Sequence, residues 1–500
     1  MMKKNELKYI KYFEAIFILT IFFFFNYSRF IYDTFNLEWY FVELSQYFFD
    51  KNYYFDIHLF KQNQANTTFY SLLASVVNNF LISFKEKLIF FRILNILIFF
   101  ILLYFFYKTI KISLEEKSQI LSLILFCPII TIYAFRIYPD FISICISWLS
   151  IIFLLNEKKK ISILLFCLSF LLKPVAIVIF PFLIFVIFKK FKYKKKFENY
   201  LLIFYYIFFL LVTYTLYFFL FEQIIFNEYY KTTYYNFNFY NTFLNFFYYY
   251  NYSILLIFPF IIYLLIFFFI KNKISISEIL YLTIIALLLS SFLKFHLFNN
   301  GEMNYGYINK LLINIYIVYF LIFTNTFLGI FLFYIFYKEK KIKIVFLVFF
   351  ICLFFLSTLI ARPAQRYLVY FIPLLFFLII EIYRIKKIKH LKLLIIFYIF
   401  FFSAITYGQK KYQEAIMNSE KKIIDFILER NLNDLISPGE IYHSRGNLFK
   451  KFLINEIKLK NQILYSYKID GCDNNINIIL KEEIYLLNFK IKEMCLTKIN

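Results

Sequence analysis

Apolar runs of roughly 16–28 residues recur between residues 13 and 407, separated by short turns that carry lysines. About 20 apolar residues in a helix cross a bilayer core, and no soluble core needs such a series. The pattern predicts spans at 13–32, 87–107, 118–137, 141–156, 161–172, 175–188, 200–221, 252–270, 277–293, 311–337, 344–361, 368–384 and 391–407. One run is unusual. From Ile161 to Phe188 the only charge is Lys173, and Pro174 follows it at once. Proline removes a backbone donor and disfavours helix at the residue before it. Both flanks of this run are basic, NEKKK before and KKFKYKKK after. The run is therefore expected to go out and come back, with Lys173 at its far turn.

Charge turns the spans into a topology. The clusters at the N-terminus, 108–117, 158–160, 189–196, 271–273, 338–343 and 384–392 hold 27 Lys and Arg, far more than the loops between them. Positive loops stay in the cytoplasm. Putting all these clusters inside requires 69–84, FYSLLASVVNNFLISF, to lie on the membrane surface and not across it. The first apolar stretch lacks a small-residue cleavage site and is expected to be retained as a span. The N-terminus is then cytoplasmic and the tail extracytoplasmic. This placement also accounts for the formal charge of +24 without nucleic acid.

Composition agrees: 62% of residues are hydrophobic, with 76 Phe and 46 Tyr. Much of the Phe, Ile, Tyr, Lys and Asn bias is the signature of an AT-rich genome, so aromatic density carries little further meaning. Cys127, Cys145, Cys167 and Cys352 lie in apolar runs and read as small core residues. From residue 408 the composition turns polar. KKYQEAIMNSEKKIIDFILERN reads as an amphipathic helix, and QILYSYKI and INIILK as strands. The chain is thus expected to be an all-α polytopic membrane protein of about thirteen transmembrane helices, residues 1–407, with a small extracytoplasmic α/β domain, 408–500. Cys472 and Cys495 lie in that domain, where an oxidising compartment would let them pair.

Soluble-enzyme motifs are missing. There is no Walker loop, no G-x-G-x-x-G and no His/Cys metal spacing, and the four histidines are scattered. No cofactor is expected, and the sequence shows no ligand set that decides whether a divalent metal is needed. Only seven glycines are present, so any bound phosphate must be held by side chains. The polar residues that stand out lie in loops expected outside: the carboxylates of 33–86, a Tyr/Asn-rich loop from Glu222 to Tyr250, and short turns ending or starting at Asp140, Lys294 and Ala361.

Four stretches occur in a telling order: NLEWYFVELSQYFF (36–49), YPDFISICISWLS (138–150), LSFLLKPVAIVIFPFL (168–183) and RPAQRYLVYFIPL (362–374). Together, and over nearly the whole chain, they resemble the GT-C superfamily of membrane glycosyltransferases, nearest the lipid A aminoarabinose transferases and protein O-mannosyltransferases. The resemblance implies transfer of a sugar from a polyprenyl-phosphate donor to a lipid, glycan or protein acceptor at the outer face, expected here at a bacterial cytoplasmic membrane. The family's usual acidic pair follows the first span. Aligned on Tyr40, Asn36 and Leu37 stand there instead, which leaves Glu38 or Asp33 to supply the carboxylate, Asp140 to act alone, or the enzyme impaired. Asp140 matches the family's second outer acid. The family's "KPP" is replaced by QANTT (64–68), leaving Lys61 or Lys173 to cover for its lysine.

Such a reaction needs a base for the acceptor hydroxyl and cations for the departing phosphate. Glu38 is the candidate base, with Asp140 and Asp33 as further catalytic carboxylates. Lys173, Arg362 and Arg366 are candidate phosphate ligands, joined by Arg92, Lys61, Lys294 and His296. Each also has a plain structural reading: Asp140 as a helix cap, the outer cations as headgroup anchors. Two other classes would use the same features, a lipid-linked oligosaccharide flippase or transporter and a glycan polymerase or ligase. The absence of an internal repeat argues against a transporter.

Overall fold

The computed structural model describes residues 19–20, 22–23, 84–109, 113–136, 139–190, 196–221, 238–271, 273–292, 315–340, 342–360, 365–388, 390–429, 436–437, 465–469, 478–486 and 489–498. The expected first outer loop, its surface helix and most of the first span lie outside these residues. From the second expected span onward, helices coincide with the apolar runs. They are α1 (Phe84–Thr109), α2 (Leu114–Phe126), α3 (Pro128–Ala134), α4 (Pro139–Leu155), α5 (Lys159–Leu172), α6 (Phe180–Lys190) and α7 (Lys196–Phe221). After these come α8 (Phe239–Ile270), α9 (Ile276–Phe292), α10 (Ile315–Lys338), α11 (Lys343–Leu359), α12 (Ile372–Ile385) and α13 (Leu391–Glu429). Short 3-10 turns, Pro174–Ile179 and Gln365–Tyr370, precede α6 and α12.

Among the described residues five helices, α1, α7, α8, α10 and the start of α13, are long and apolar enough to cross a membrane. A sixth span results if α2 and α3, bent by 66°, count as one. Outward faces are apolar too: Leu97, Ile101 and Tyr104 on α1, and Leu280, Leu287 and Leu288 on α9, are exposed. Greasy surfaces of this extent mark interaction sites, and on helices this apolar they are compatible with lipid contact. The molecule has the make-up of a multi-pass, mostly helical membrane protein.

The bend has a local cause. Pro128 opens α3, and Cys127 before it is extended. The hydroxyl of Thr131 lies 3.0 Å from the Leu125 carbonyl and 2.9 Å from that of Cys127, covering acceptors left over at the break. A second break occurs as expected at Lys173, whose backbone is extended (φ −156°) and caps α5. Lys190, at the end of α6, pairs with Glu157 beside the start of α5 at 3.9 Å. The chain therefore reverses at Lys173 and returns to the end of the bundle where it started, between Lys158 and Lys190.

Hydroxyls bind α4 to α5. Ser143 donates to the Ser169 carbonyl at 2.8 Å, while Ser150 and Ser162 exchange bonds with each other's carbonyls. Small residues every three or four positions let two helices approach closely in lipid. The lysine-bearing helix ends also come together. Asn156 bonds Thr109, Arg384 faces Glu116 at 3.8 Å, Lys392 faces Glu115 at 3.2 Å, Lys386 pairs with Glu339, and Lys338 with Glu278 at 3.0 Å. Termini of seven helices, expected on one side from charge alone, thus meet at one end of the bundle.

Helix α8 departs from expectation. It was predicted from residue 252 but begins at Phe239, capped by Asn238, so part of the Tyr/Asn-rich loop is helical and buried. Its polar side chains find main-chain acceptors on other helices: Asn245 on Ile360 (2.7 Å) and Tyr250 on Gly329 (2.6 Å). Asn325 of α10 returns a bond to the Asn251 carbonyl at 2.8 Å. Satisfied in this way, these groups can sit inside a helical core.

Helix α13 runs unbroken for 39 residues through the expected boundary at 407/408. Its later part packs on a four-stranded sheet ordered β1 (Ile436–Ser437), β2 (Tyr465–Ile469), β4 (Phe489–Lys498), β3 (Ile478–Leu486). β1 and β2 are parallel, the other pairs antiparallel. Cys495 is disulfide-bonded; its expected partner Cys472 lies outside the described residues. Cys127, Cys145, Cys167 and Cys352 are free and buried, as expected of core residues.

Glu483 and Glu493 face each other across β3 and β4, an arrangement that repels. Lys490 offsets this by bridging them at 2.7 and 2.8 Å. The Lys490 bond, then that of Tyr485, holds the Glu483 carboxyl below the ordinary range, and Lys490 is pushed up in return. A lowered acid contributes fully above its ordinary range and fails as pH falls through its folded value. A raised lysine contributes fully below its ordinary range and fails as pH rises past its folded value. Lys490→Gln should therefore reduce amide protection of β3 modestly at neutral pH, and protection in the parent should decline at both extremes. The exposed pair limits the size of the effect. Equal protection in the variant at neutral pH would refute the bridging role.

Candidate functional site

At the end of the bundle away from the lysine-rich termini, three residues picked independently from the sequence meet. Asp140 opens α4, about 24 Å along the helix from Asn156. Its Oδ1 lies 3.8 Å from Lys173 Nζ and 4.0 Å from Arg366 Nε. The side chains are 3%, 11% and 15% exposed, so this is a buried charged cluster and not a set of headgroup anchors. Two cations and one carboxylate leave it formally positive by one. At these distances attraction is charge–charge, since a direct N–H···O bond spans about 2.7–3.2 Å.

Each member is placed by a distinct backbone feature. Asp140 follows the proline that starts α4. Lys173 occupies the extended residue enforced by Pro174. Arg366 sits in the 3-10 turn before α12, its guanidinium 5.0 Å from the Tyr367 ring centre and bonded to the Tyr367 hydroxyl at 3.2 Å.

A second layer lies one helical turn deeper. Ser143, Ser169 and Tyr370 stand three or four residues from Asp140, Lys173 and Arg366 respectively. Ser143 bonds the Ser169 carbonyl and lies 3.1 Å from the Tyr370 hydroxyl, and Trp148 Nε1 donates to the Tyr370 carbonyl at 2.9 Å. The three elements that carry the charges are thus locked to one another directly beneath them. Sequence reading passed over this layer.

Further cations flank the cluster. Arg92 is buried on α1, and Asn95, one turn on, donates to the carbonyl of buried Arg136. Arg136 precedes Asp140 by four residues, its guanidinium 6.0 Å from the Tyr133 ring centre. Arg92 was anticipated; Arg136 and Asn95 were not, although RIYPD already set an arginine close to Asp140. Contact between α1 and α4, including the Phe99 and Phe141 rings at 5.4 Å, brings the Arg92 side of α1 to this end. An apolar cleft beside the cluster is lined by Phe99, Leu102, Phe141, Cys145, Trp148 and Val369.

Glu38, Asp33, Lys61, Lys294, His296 and Arg362 lie outside the described residues. Of the described residues, no group of three or more His, Cys, Asp or Glu is arranged to hold a metal. No protein-family model, curated protein or solved structure matches this chain.

Proposed function

We propose that the chain is an integral-membrane glycosyltransferase of GT-C type that moves a sugar from a polyprenyl-phosphate donor to a lipid, glycan or protein acceptor at the outer face of the membrane. The observation that carries this reading is the buried Asp140–Lys173–Arg366 cluster at the end of the bundle opposite the lysine-rich termini. The positive-inside rule makes the lysine-rich end cytoplasmic and the cluster extracytoplasmic. Thirteen spans, an N-terminus inside and a C-terminal sheet outside complete the topology. The disulfide at Cys495 supports an oxidising compartment for that sheet.

In the proposed reaction an acceptor hydroxyl attacks the anomeric carbon of the donor sugar. Glu38, or Asp33 in its place, takes the hydroxyl proton as the bond to the phosphate oxygen breaks. Polyprenyl phosphate leaves with the bonding electrons. Lys173 and Arg366, with Arg362, Arg92 and Lys61, stabilise the charge that grows on that oxygen. Asp140 holds Lys173 and Arg366 apart and aimed, and Ser143 and Tyr370 fix the elements beneath. Partners are thus the lipid-linked donor, the acceptor and membrane lipid.

Mass analysis of outer-surface glycans from cells with and without the gene tests the proposal. One sugar should disappear from one acceptor class in the deletion and return with the parent gene. Accumulation of complete lipid-linked oligosaccharide on the inner leaflet, without loss of a single transferred sugar, would instead identify a flippase.

A further inference from the structure

At the lysine-rich end, between the start of α2 and the turn joining α12 to α13, lies a cleft of about 610 Å³. Glu115 and Glu116 lie on one side; Arg384, Lys387, His390 and Lys392 lie on the other. Both carboxylates are engaged, Glu116 with Arg384 at 3.8 Å and Glu115 with Lys392 at 3.2 Å. Among the described residues Lys387 and His390 join no ion pair, and both are exposed.

The backbone holds these two groups in an unusual way. Lys387 has φ 51° and His390 φ 69°, in the left-handed region where glycine is the default. The Lys387 and Ile388 amides close the end of α12 on the carbonyls of Arg384 and Tyr383 at 3.1 and 3.0 Å. Basic side chains thus stand at the mouth of the cleft where a turn of this shape would ordinarily take glycine.

Apolar surface continues from the cleft. Tyr383 and Ile388 are buried in its lining, and Leu393 lines it while 65% exposed. Ile396, Phe397 and Phe400, all exposed, extend Leu393 at positions +3, +4 and +7 along the same face of α13. A basic pocket at the cytoplasmic boundary, continuous with a lipid-facing apolar stripe, matches the two ends of a phospholipid. Free phosphate has no use for the stripe.

We propose that this cleft binds the phosphodiester headgroup of an anionic glycerophospholipid of the inner leaflet. Lys387 and His390 contact the phosphate, Arg384 and Lys392 flank it, and an acyl chain follows Leu393, Ile396 and Phe400. The site is independent of glycosyl transfer and lies at the other end of the bundle.

The test uses the full-length protein in detergent, with phosphatidylglycerol micelles or inorganic phosphate as probes, read by native mass spectrometry and thermal shift. Phosphatidylglycerol should remain bound to the parent and raise its Tm, and inorganic phosphate should neither displace it nor reproduce the shift. Lys387→Gly with His390→Gln should weaken phosphatidylglycerol binding by at least about 10- to 100-fold, the loss expected of a single charge-assisted contact. Without lipid the variant should be at least as stable as the parent, because glycine suits the backbone at 387. Undiminished lipid binding by the double variant would overturn the proposal, as would displacement by inorganic phosphate. Asp140→Asn should leave lipid binding intact; loss there would place the lipid at the other site and overturn it equally.

Discussion

Asp140→Asn should lower sugar transfer by about 10²- to 10⁴-fold, the range typical of a lost acid–base or charge-positioning group, while the protein still reaches the membrane folded. Asparagine keeps the shape of the side chain but not its charge. Lys173 and Arg366, each within 4.0 Å of the carboxylate, then repel one another without an intervening anion. Their aim at a departing phosphate is lost although both remain. The Ser143–Ser169–Tyr370 layer beneath should keep α4, α5 and the 3-10 turn together. The loss of turnover, measured on purified protein that is still folded at the assay temperature, should exceed what its lowered thermal stability accounts for. Near-parental turnover by a folded Asn variant would remove Asp140 from the site.

Lys173→Met should destabilise the fold less than Asp140→Asn, because it leaves a neutral Asp140–Arg366 pair. The asparagine leaves two buried cations without an anion, a loss of about 3–5 kcal/mol. Methionine fills the lysine volume, so a cavity does not add to its loss. Asp140 is 3% exposed and would be left with Arg366 alone at 4.0 Å. Combining Lys173→Met with Asp140→Asn should recover part of the stability lost in Asp140→Asn, because only one buried cation, Arg366, is then left without its anion, yet leave transfer as low as in either single variant. That split separates a structural ion pair from a functional one. A double variant that regained both stability and transfer would show the pair to be scaffolding. A single Asp140→Asn variant as stable as the parent would show that the cluster contributes nothing to the fold.

Much of the helical layout was legible because lipid imposes a coarse code: long apolar runs, lysines between them, and one proline after one lysine. Lys173 could be located from the sequence because a basic flank on either side of Ile161–Phe188 points to a hairpin. Asp140, Lys173 and Arg366 each stood out as rare charges at the ends of apolar runs. Their mutual contact did not, since positions 140, 173 and 366 are joined only by helix packing. The supporting residues were hidden for another reason. Tyr370 is one of 46 tyrosines and Ser143 lies in an ordinary apolar helix, so nothing local marks them. The start of α8 was misread because Asn and Tyr look like loop residues until Ile360 and Gly329 offer them carbonyls. Helix α13 was divided at residue 407 where the composition turns polar, but polarity alone does not end a helix, and a single Gly408 is tolerated there. Strand β4 was missed because FKIKEMCLTK alternates weakly and gains its pairing from β2 and β3.

The central claim is that this bundle transfers a sugar from a polyprenyl phosphate at the end where Asp140, Lys173 and Arg366 meet. The most direct measurement reconstitutes the purified protein in liposomes with a radiolabelled polyprenyl-phosphate sugar and an acceptor extract. Release of polyprenyl phosphate should match label gained by the acceptor, and both should collapse in Asp140→Asn and Lys173→Met with Asp140→Asn. Label that stays on the polyprenyl phosphate and merely changes leaflet, at equal rates in parent and variants, would contradict it.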